Sequence, residues 1–320
     1  MKISNAPNKE TSQKPLQVAV GVIKNSSGQI LISLRNDKLH QGGLWEFPGG
    51  KIEATETVEQ ALIRELKEEL DITAQAATPL ITINHQYPDL AVQLRVLSVE
   101  RYDGEVKSCE GQPFLWLNPD DLDNYAFPAA NRPIFAAARL PHYYAILDDA
   151  DPALLLNNLM KMLDEGIKLI QARLKTLSVV AVERFLKQAY PLCKAHNAWL
   201  LLNSSVENAE GFDVDGLHLT SADLLACDKI PENKQWVAAS CHNLDELRHA
   251  EKIGADFVVL APVLPTPTHP EAEVLGWAQF AGLVAQTNLP VYALGGLVKS
   301  DVLTAREMGG QGIAGIRTFL

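Results

Sequence analysis

Between Gly49 and Ile72 the chain reads GGKIEATETVEQALIRELKEELDI, six glutamates and one arginine behind a pair of glycines. Counted from Gly50, five residues precede Glu56 and seven more precede Arg64-Glu65, with Leu66, Lys67 and Glu68-Glu69 following. At about 100° per residue, Glu65, Glu68 and Glu69 fall within roughly one third of a helix circumference. Leu62, Ile63, Leu66 and Leu70 take the adjoining arc, which predicts a helix that buries one side and gathers charge on the other. Three carboxylates on one arc repel each other unless a cation sits between them. Hard oxygen ligands set against a pyrophosphate call for Mg²⁺ or Mn²⁺. The plainer reading is a solvated acidic face, but the fixed Gly, Arg and Glu spacing and the glycine loop leading in favour chemistry.

This spacing resembles the Nudix box almost position for position, and the likeness extends over residues 16–140. QVAVGVI, LWEFPGGKIE, VERYDGE, EGQP and FPAAN look like the corresponding segments of MutT-type 8-oxo-dGTP diphosphatases. The resemblance implies an α/β/α sandwich that hydrolyses a nucleoside triphosphate to monophosphate and pyrophosphate with Mg²⁺, Mn²⁺ being an alternative. It implies a nucleotide-pool role in DNA repair. Implied metal ligands are Gly49, through its carbonyl, and Glu65, Glu68, Glu69 and Glu110. Either Glu65 or Glu110 would serve as general base, and Arg64 would orient the glutamates by charge-assisted bonds. Implied nucleotide contacts are Arg35 and His40 near the phosphates, Phe47 and Tyr87 flanking the nucleotide, and Asn131 on the base edge. An asparagine amide accepts from the N7–H that distinguishes 8-oxoguanine and donates to O6. The residue-level alternatives are that Asn131 caps a helix starting near Arg132, that Phe47 is core and that His40 is a solvated loop residue. Asp71 stands where the family has a left-handed glycine cap, a position rather than a ligand, and Leu90 replaces a polar residue. Two competing readings remain: a silent binding module, which usually loses box glutamates, and a hydrolase of another nucleoside diphosphate or thiamine-related compound.

Length and composition set the frame for these sites. At 320 residues, 47% hydrophobic and 21% charged, the chain is long enough for about two globular domains. A net charge of −11 argues against a surface that coats nucleic acid, while a free nucleotide remains compatible. Cys109, Cys193, Cys227 and Cys241 lack C-x-x-C spacing and read as reduced thiols of a cytoplasmic protein. Residues 1–15 are polar, without the apolar core of a signal peptide, and are expected to be a disordered tail. No apolar run reaches membrane-spanning length.

Two textures follow along the chain. In 16–140, LQVAVGVIK and QILISLR alternate like paired strands around Asn25-Ser26-Ser27-Gly28; LITINHQY, AVQLRVLSVERY and PFLWLN read as further strands. Arg132 to Leu140 closes the unit as a helix, and Pro141 marks the boundary. From 141 to 320, eight short apolar strands (YYAIL, IKLIQA, WLLLN, DGLHL, WVAAS, FVVLA, VYALG, GIAGI) alternate with amphipathic stretches such as Val179–His196 and Leu244–Gly254. That alternation predicts a (β/α)₈ TIM barrel, favoured over an open doubly wound sheet by the count and by the lack of G-x-G-x-x-G.

IQARLK, LLNSS, DGLHLTSAD, APVLPTPTH and ALGG fall at the C-terminal ends of the predicted strands, where barrels keep their sites. This half resembles thiamine-phosphate synthase and its TenI-like relatives. The resemblance implies that Gln171, Arg173 and Lys175 hold a diphosphate, that Asn203 and Asp223 take the family's asparagine and metal-binding aspartate, and that Ser240, Thr266 and Thr268 line the pocket. Gly295 and Gly296 offer backbone N–H groups as a phosphate cradle. Three departures fall where catalysis would need the family's residues: Ser204 replaces an aspartate, His269 a fixed cation, and Arg317 a serine. Losing a carboxylate from a Mg²⁺–diphosphate site is a severe defect. The expectation is therefore a barrel that binds a thiamine-related phosphate without making thiamine phosphate, the alternatives being an active synthase or a structural brace.

Overall fold

The computed structural model describes residues 14–38, 40–149, 152–266, 271 and 273–320. The expected N-terminal tail, apart from its last two residues, and the predicted pocket residues Thr268 and His269 lie outside them. The first unit is built from β1 (Leu16–Ile23), β2 (Ile30–Leu34), β3 (Trp45–Glu46), β4 (Gly49–Lys51), α1 (Val58–Leu70), β5 (Thr73–Gln86), β6 (Ala91–Asp103), β7 (Phe114–Leu117) and α2 (Arg132–Arg139). These strands form one sheet in the order β4-β1-β6-β5 and a second in the order β3-β2-β7. Within the first, β1 runs parallel to β6, and β5 and β6 form a long antiparallel pair.

β1 shows how a two-residue period sets the layers. Ala19 and Ile23 turn to one face and pack with Leu62, Leu66 and Leu70 of α1. Val20 and Val22 turn to the other and pack with Ile134 and Phe135 of α2. The sheet is thereby sandwiched between helices, as expected. Two local expectations differ. β1 and β2 do not pair along their length: they meet at a single bridge, Lys24–Ile30, and then enter different sheets. Ile63 is exposed, and Ala61, on the opposite edge of the Leu62, Leu66 and Leu70 arc, completes the buried side of α1 instead.

α1 starts later than its glycines, at Val58, where Thr57 and Gln60 form a reciprocal capping box. It stops at Asp71, whose backbone is left-handed (φ 56°) with its N–H returning to the carbonyls of Leu66 and Lys67. Lys67 and Lys107 flank the Asp71 carboxylate on the surface.

The second unit runs through β8 (Tyr143–Asp148), α3 (Pro152–Asp164), β9 (Leu169–Arg173), α4 (Val179–Ala195), β10 (Trp199–Asn203), β11 (Gly216–Leu219), α5 (Ser221–Ala226), β12 (Trp236–Cys241), α6 (Leu244–Ile253), β13 (Phe257–Leu260), α7 (Gly276–Val284), β14 (Val291–Ala293), α8 (Asp301–Glu307) and β15 (Gly312–Gly315). β8 to β15 close on themselves as a parallel barrel, each predicted strand lying within a residue or two of its place. The same alternation sorts their side chains. Tyr144, Leu201, Trp236, Phe257 and Tyr292 fill the barrel, while Leu200 and Leu202 pack outward against the helices. Gln311 donates to the carbonyls of Ala137 and Leu140 at the end of α2, and Tyr292 donates to Pro141, so the junction is bonded to the barrel floor.

The Asp71 cap gives a stability test. Its two lysine contacts are exposed and contribute little, whereas a left-handed non-glycine residue costs about 1 kcal/mol. Asp71→Gly is expected to be neutral or slightly stabilising in urea unfolding, and Asp71→Ala to lose about 1 kcal/mol relative to Asp71→Gly. Equal stability of the two variants would show that the cap carries no strain.

Candidate functional site

The glycine pair and the acidic helix meet because glycine leaves room for them. A Cβ on Gly50 would stand 2.2 Å from the Glu65 carboxyl carbon, and one on Gly49 (φ 144°) would stand 2.1 Å from the Ala19 carbonyl. The loop can thus lie directly on α1, where the Gly49 N–H donates to Glu69 at 3.3 Å. Arg64 is the hub of the acidic face. It donates to both oxygens of Glu56 (2.7 and 3.0 Å), to Glu65 (2.9 Å), to Glu68 (3.3 Å) and to the Lys51 carbonyl (3.1 Å). The bond from Arg64 holds the Glu56 carboxyl below its usual range.

Glu69 lies deeper and has no such partner. Burial, then the charges of Glu46 and Glu65 and more weakly Glu110, push its carboxyl up to about 8, against the pull of the Gly49 N–H. Among the described residues no three acidic or histidine side chains close around an ion as they stand, since Arg64 draws Glu56, Glu65 and Glu68 to itself. The donor chemistry nevertheless suits a hard divalent cation. It is all oxygen, it crowds carboxyl groups around a half-buried position, and a backbone glycine lies beside it. Glu65 and Glu69, half-buried, with Glu68 and Glu110, both exposed at the rim, are the residues that would hold such an ion.

Glu46 is the residue that sequence reasoning missed. It lies on β3, is bound by Arg35, and still has its carboxyl raised to about 7 by burial. Because it faces both Arg35 and Glu69, it joins the expected phosphate contact to the acidic cluster. The available signal was a lone acid between Trp45 and Phe47 in an otherwise apolar run.

The remaining predicted nucleotide residues form one neighbourhood. Arg35 also donates to the His40 carbonyl (3.2 Å), the His40 ring meets Tyr87 edge-on at 4.9 Å, and Tyr87 accepts from the Ala130 N–H at 3.4 Å. His40 is further joined to Asp89 at 3.3 Å. Asn131 follows in a short 3₁₀ turn, 8% exposed, and its side chain makes no cap on α2. The capping alternative is thereby removed, and the amide carries no hydrogen bond among the described residues. Phe47 is 2% exposed and packs against Phe127 at a tilt and Phe135 edge-on, so it is core beneath this neighbourhood.

In the barrel, Gln171, Arg173, Lys175, Asn203, Ser240, Thr266, Gly295 and Gly296 line one cavity of about 590 Å³ at the C-terminal end of the strands. His218 and His242, which sequence reasoning did not single out, line it too. Gly295 and Gly296 have left-handed backbones (φ 107° and 67°) that turn the loop after β14 over the cavity. Asp223 is not in this lining. Its carboxylate accepts from the hydroxyls of Ser204 and Thr220 at the start of α5. Where a second aspartate would need a cation between the two charges, Ser204 supplies a proton and leaves Asp223 satisfied. Arg173 is paired with Asp148 at the cavity edge.

A family description of the NUDIX domain matches residues 19–137, and one of thiamine monophosphate synthase matches residues 143–319. The Escherichia coli protein named 8-oxo-dGTP diphosphatase is 43% identical over 123 residues, 38% of this chain and 95% of that protein. A putative thiamine-phosphate synthase 2 of Aquifex aeolicus is 34% identical over 183 residues, 57% of this chain and 98% of that protein. A thiamine-phosphate synthase of Bacteroides fragilis is 34% identical over 164 residues, covering 48% and 78% respectively.

The crowding at Glu69 sets a pH dependence. The folded state prefers the protonated carboxyl, so this contribution to stability is complete below the ordinary value of 4.5 and is lost as pH rises through about 8. In chelator, wild type is expected to lose thermal stability between pH 5 and 9 more steeply than Glu69→Gln. Divalent cation should restore the wild type and leave the variant unchanged. Parallel pH curves, or equal rescue, would contradict this picture of the cluster.

Proposed function

Since the chain belongs to the Nudix family through its first half and to the thiamine monophosphate synthase family through its second, we propose a two-domain protein, divided near Pro141, whose first domain removes pyrophosphate from 8-oxo-dGTP. The chain is a Nudix hydrolase; the oxidised purine and the Mg²⁺ dependence are our reading. The observation that carries it is the intact cluster of Arg64, Glu56, Glu65, Glu68 and Glu69 packed on the Gly49-Gly50 loop. A binding module has no need to keep a carboxylate as strained as Glu69.

Mg²⁺, when bound, neutralises the diphosphate and acidifies the attacking water. The chain's own residues do the rest. Arg35 exchanges its hold on Glu46 for a substrate phosphate oxygen. Arg64 keeps Glu65 and Glu68 oriented, and a carboxylate of the cluster takes the proton of the attacking water. Asn131, 8% exposed and with no hydrogen bond to its amide among the described residues, accepts from the N7–H of the oxidised base and donates to O6. A normal guanine leaves the acceptor unmatched, which costs about 1–3 kcal/mol.

We further propose that the barrel binds a phosphorylated thiazole, pyrimidine or thiamine-like ligand but does not join the two halves of thiamine phosphate. Arg173, Lys175, Gly295 and Gly296 support the binding, and Ser204 holding Asp223 outside the cavity supports the loss of synthesis. No helix among the described residues is long and apolar enough to cross a membrane.

Pyrophosphate release measured with Mg²⁺ should be robust for wild type and fall at least a hundredfold in Glu69→Gln, roughly the scale of removing a charge-stabilising group from a reacting centre. Equal rates, or no release by wild type across a nucleotide panel, sink the hydrolase assignment. Asn131→Ala should lower the preference for 8-oxo-dGTP over dGTP by about tenfold or more. An unchanged preference removes Asn131 from recognition. For the barrel, expression in a bacterium lacking thiamine-phosphate synthase should not support growth without thiamine. Vigorous growth, lost in Arg173→Ala, would establish the synthase instead.

A further inference from the structure

The barrel reaches across to the first domain at the strand that leads into the nucleotide neighbourhood. β5 is an edge strand, last in the order β4-β1-β6-β5, so the N–H groups on its outer side have no partner within the sheet. One of them, on Asn84, donates to Asn288 Oδ1 at 2.7 Å. Asn288 lies in the loop between α7 and β14 of the barrel, where one carboxylate fixes it. Glu251 of α6 accepts from Asn288 Nδ2 at 2.7 Å with one oxygen. With the other it accepts from the Asn288 N–H (3.2 Å) and the Thr287 hydroxyl (3.0 Å). Since Nδ2 is committed to Glu251, Oδ1 is the atom left to face β5, and the amide has one orientation.

The residue so held stands next to the nucleotide contacts. Asn84 accepts at its own side chain from Gln93 of β6 at 2.7 Å, so the bond from the barrel grips both strands of the hairpin. His85, the next residue, packs its ring edge-on against Tyr87 at 4.4 Å. Tyr87 meets His40 as well, and its hydroxyl accepts from the N–H of Ala130, the neighbour of Asn131. A second contact lies further back on β5, where Arg306 of α8 donates to the Thr78 hydroxyl (3.2 Å) and the Pro79 carbonyl (3.4 Å). Between the two contacts the strand shifts register at Pro79–Ile81. There the sheet and the barrel helices stand apart around a cleft of about 630 Å³, lined among others by Thr82, Arg95, Val284 and Leu289. A bulge bends its strand and breaks the ladder locally. Asn288 holds β5 on the Tyr87 side of that break, and Arg306 holds it on the other.

We propose that Asn288, held by Glu251, is a positioning residue for the nucleotide site of the first domain: the barrel sets where the end of β5 stands and, through His85 and Tyr87, the wall that receives the base. That the base is an oxidised purine rests on the function proposed above; the bonds to β5 do not. The carboxylates of α1 lie outside this path, so the effect falls on substrate binding and spares the chemical step.

The test uses the full chain. Asn288→Ala should raise KM for 8-oxo-dGTP about three- to tenfold, the worth of one hydrogen bond, and leave kcat within about twofold of wild type. Hydrogen exchange over residues 84–90 should quicken in the same variant. The double variant Asn288→Asp/Glu251→Gln moves the charge from one partner to the other and can keep all four bonds. The aspartate accepts from Asn84 and from the glutamine amide, whose carbonyl oxygen takes the Thr287 hydroxyl and the backbone N–H. KM and exchange should return to wild-type values in it. Unaltered KM and exchange in Asn288→Ala, a double variant no better than the single one, or a kcat that falls as far as KM rises would overturn the proposal. So would an equal rise of KM in Arg306→Ala, since loosening of the whole domain contact would then account for the effect. If wild type fails to hydrolyse 8-oxo-dGTP, the substrate reading fails by itself, and the exchange comparison alone decides whether Asn288 holds the strand.

Discussion

The first domain is organised around a repulsion. Burial, together with the charges of Glu46, Glu65 and more weakly Glu110, raises the Glu69 carboxyl well above its ordinary range. A single guanidinium, Arg64, holds the outer members, and it is spent on Glu56, Glu65 and Glu68 without reaching Glu69. Much of the local architecture maintains this tension. The left-handed end of α1 at Asp71 turns the chain away, the Cys109 N–H ties the loop of Glu110 back to the Glu69 carbonyl at 2.9 Å, and the glycine pair lets a strand lie against the carboxylates. Such an arrangement is unfavourable for folding alone and becomes favourable when a divalent cation and a phosphate chain share the site.

The barrel shows the opposite choice. Two of its carboxylates are held by neighbours: Asp223 by Ser204 and Thr220, and Asp148 by Arg173. What remains open at its mouth is a set of neutral donors and acceptors with cationic side chains at the edge. One chain thus carries a charge-strained site and a charge-satisfied one. On the function proposed here, the first is suited to reaction at a diphosphate and the second to recognition.

Periodicity made most of the fold legible. The barrel strands are short apolar runs buried on both faces, and WLLLN coincides with β10 to the residue. The acidic helix was legible because its side-chain spacing is local. What sequence could not place depends on contacts distant along the chain. β1 and β2 looked like a hairpin because their turn is good, with Asn25 Oδ1 accepting from Ser27 and Gln29, yet the better partner of β1 is β6, far along the chain. Ile63 fell on the expected arc, but the buried side of α1 extends the other way, to Ala61. Glu46 was overlooked because its role comes from facing Arg35 and Glu69 at once, and His218 because an apolar strand gives no sign of which residue reaches the cavity.

The central claim is that the strained carboxylates around Glu69 form a cation site rather than a solvated acidic face. Electron paramagnetic resonance of Mn²⁺ titrated into the full chain tests it directly, because free and bound ion are distinguished without any turnover. The account predicts that wild type removes the free-ion signal in a saturable way and that the double variant Glu65→Gln/Glu69→Gln leaves it nearly as in buffer. Equal depletion by both proteins would contradict it, since binding would then come from diffuse surface charge.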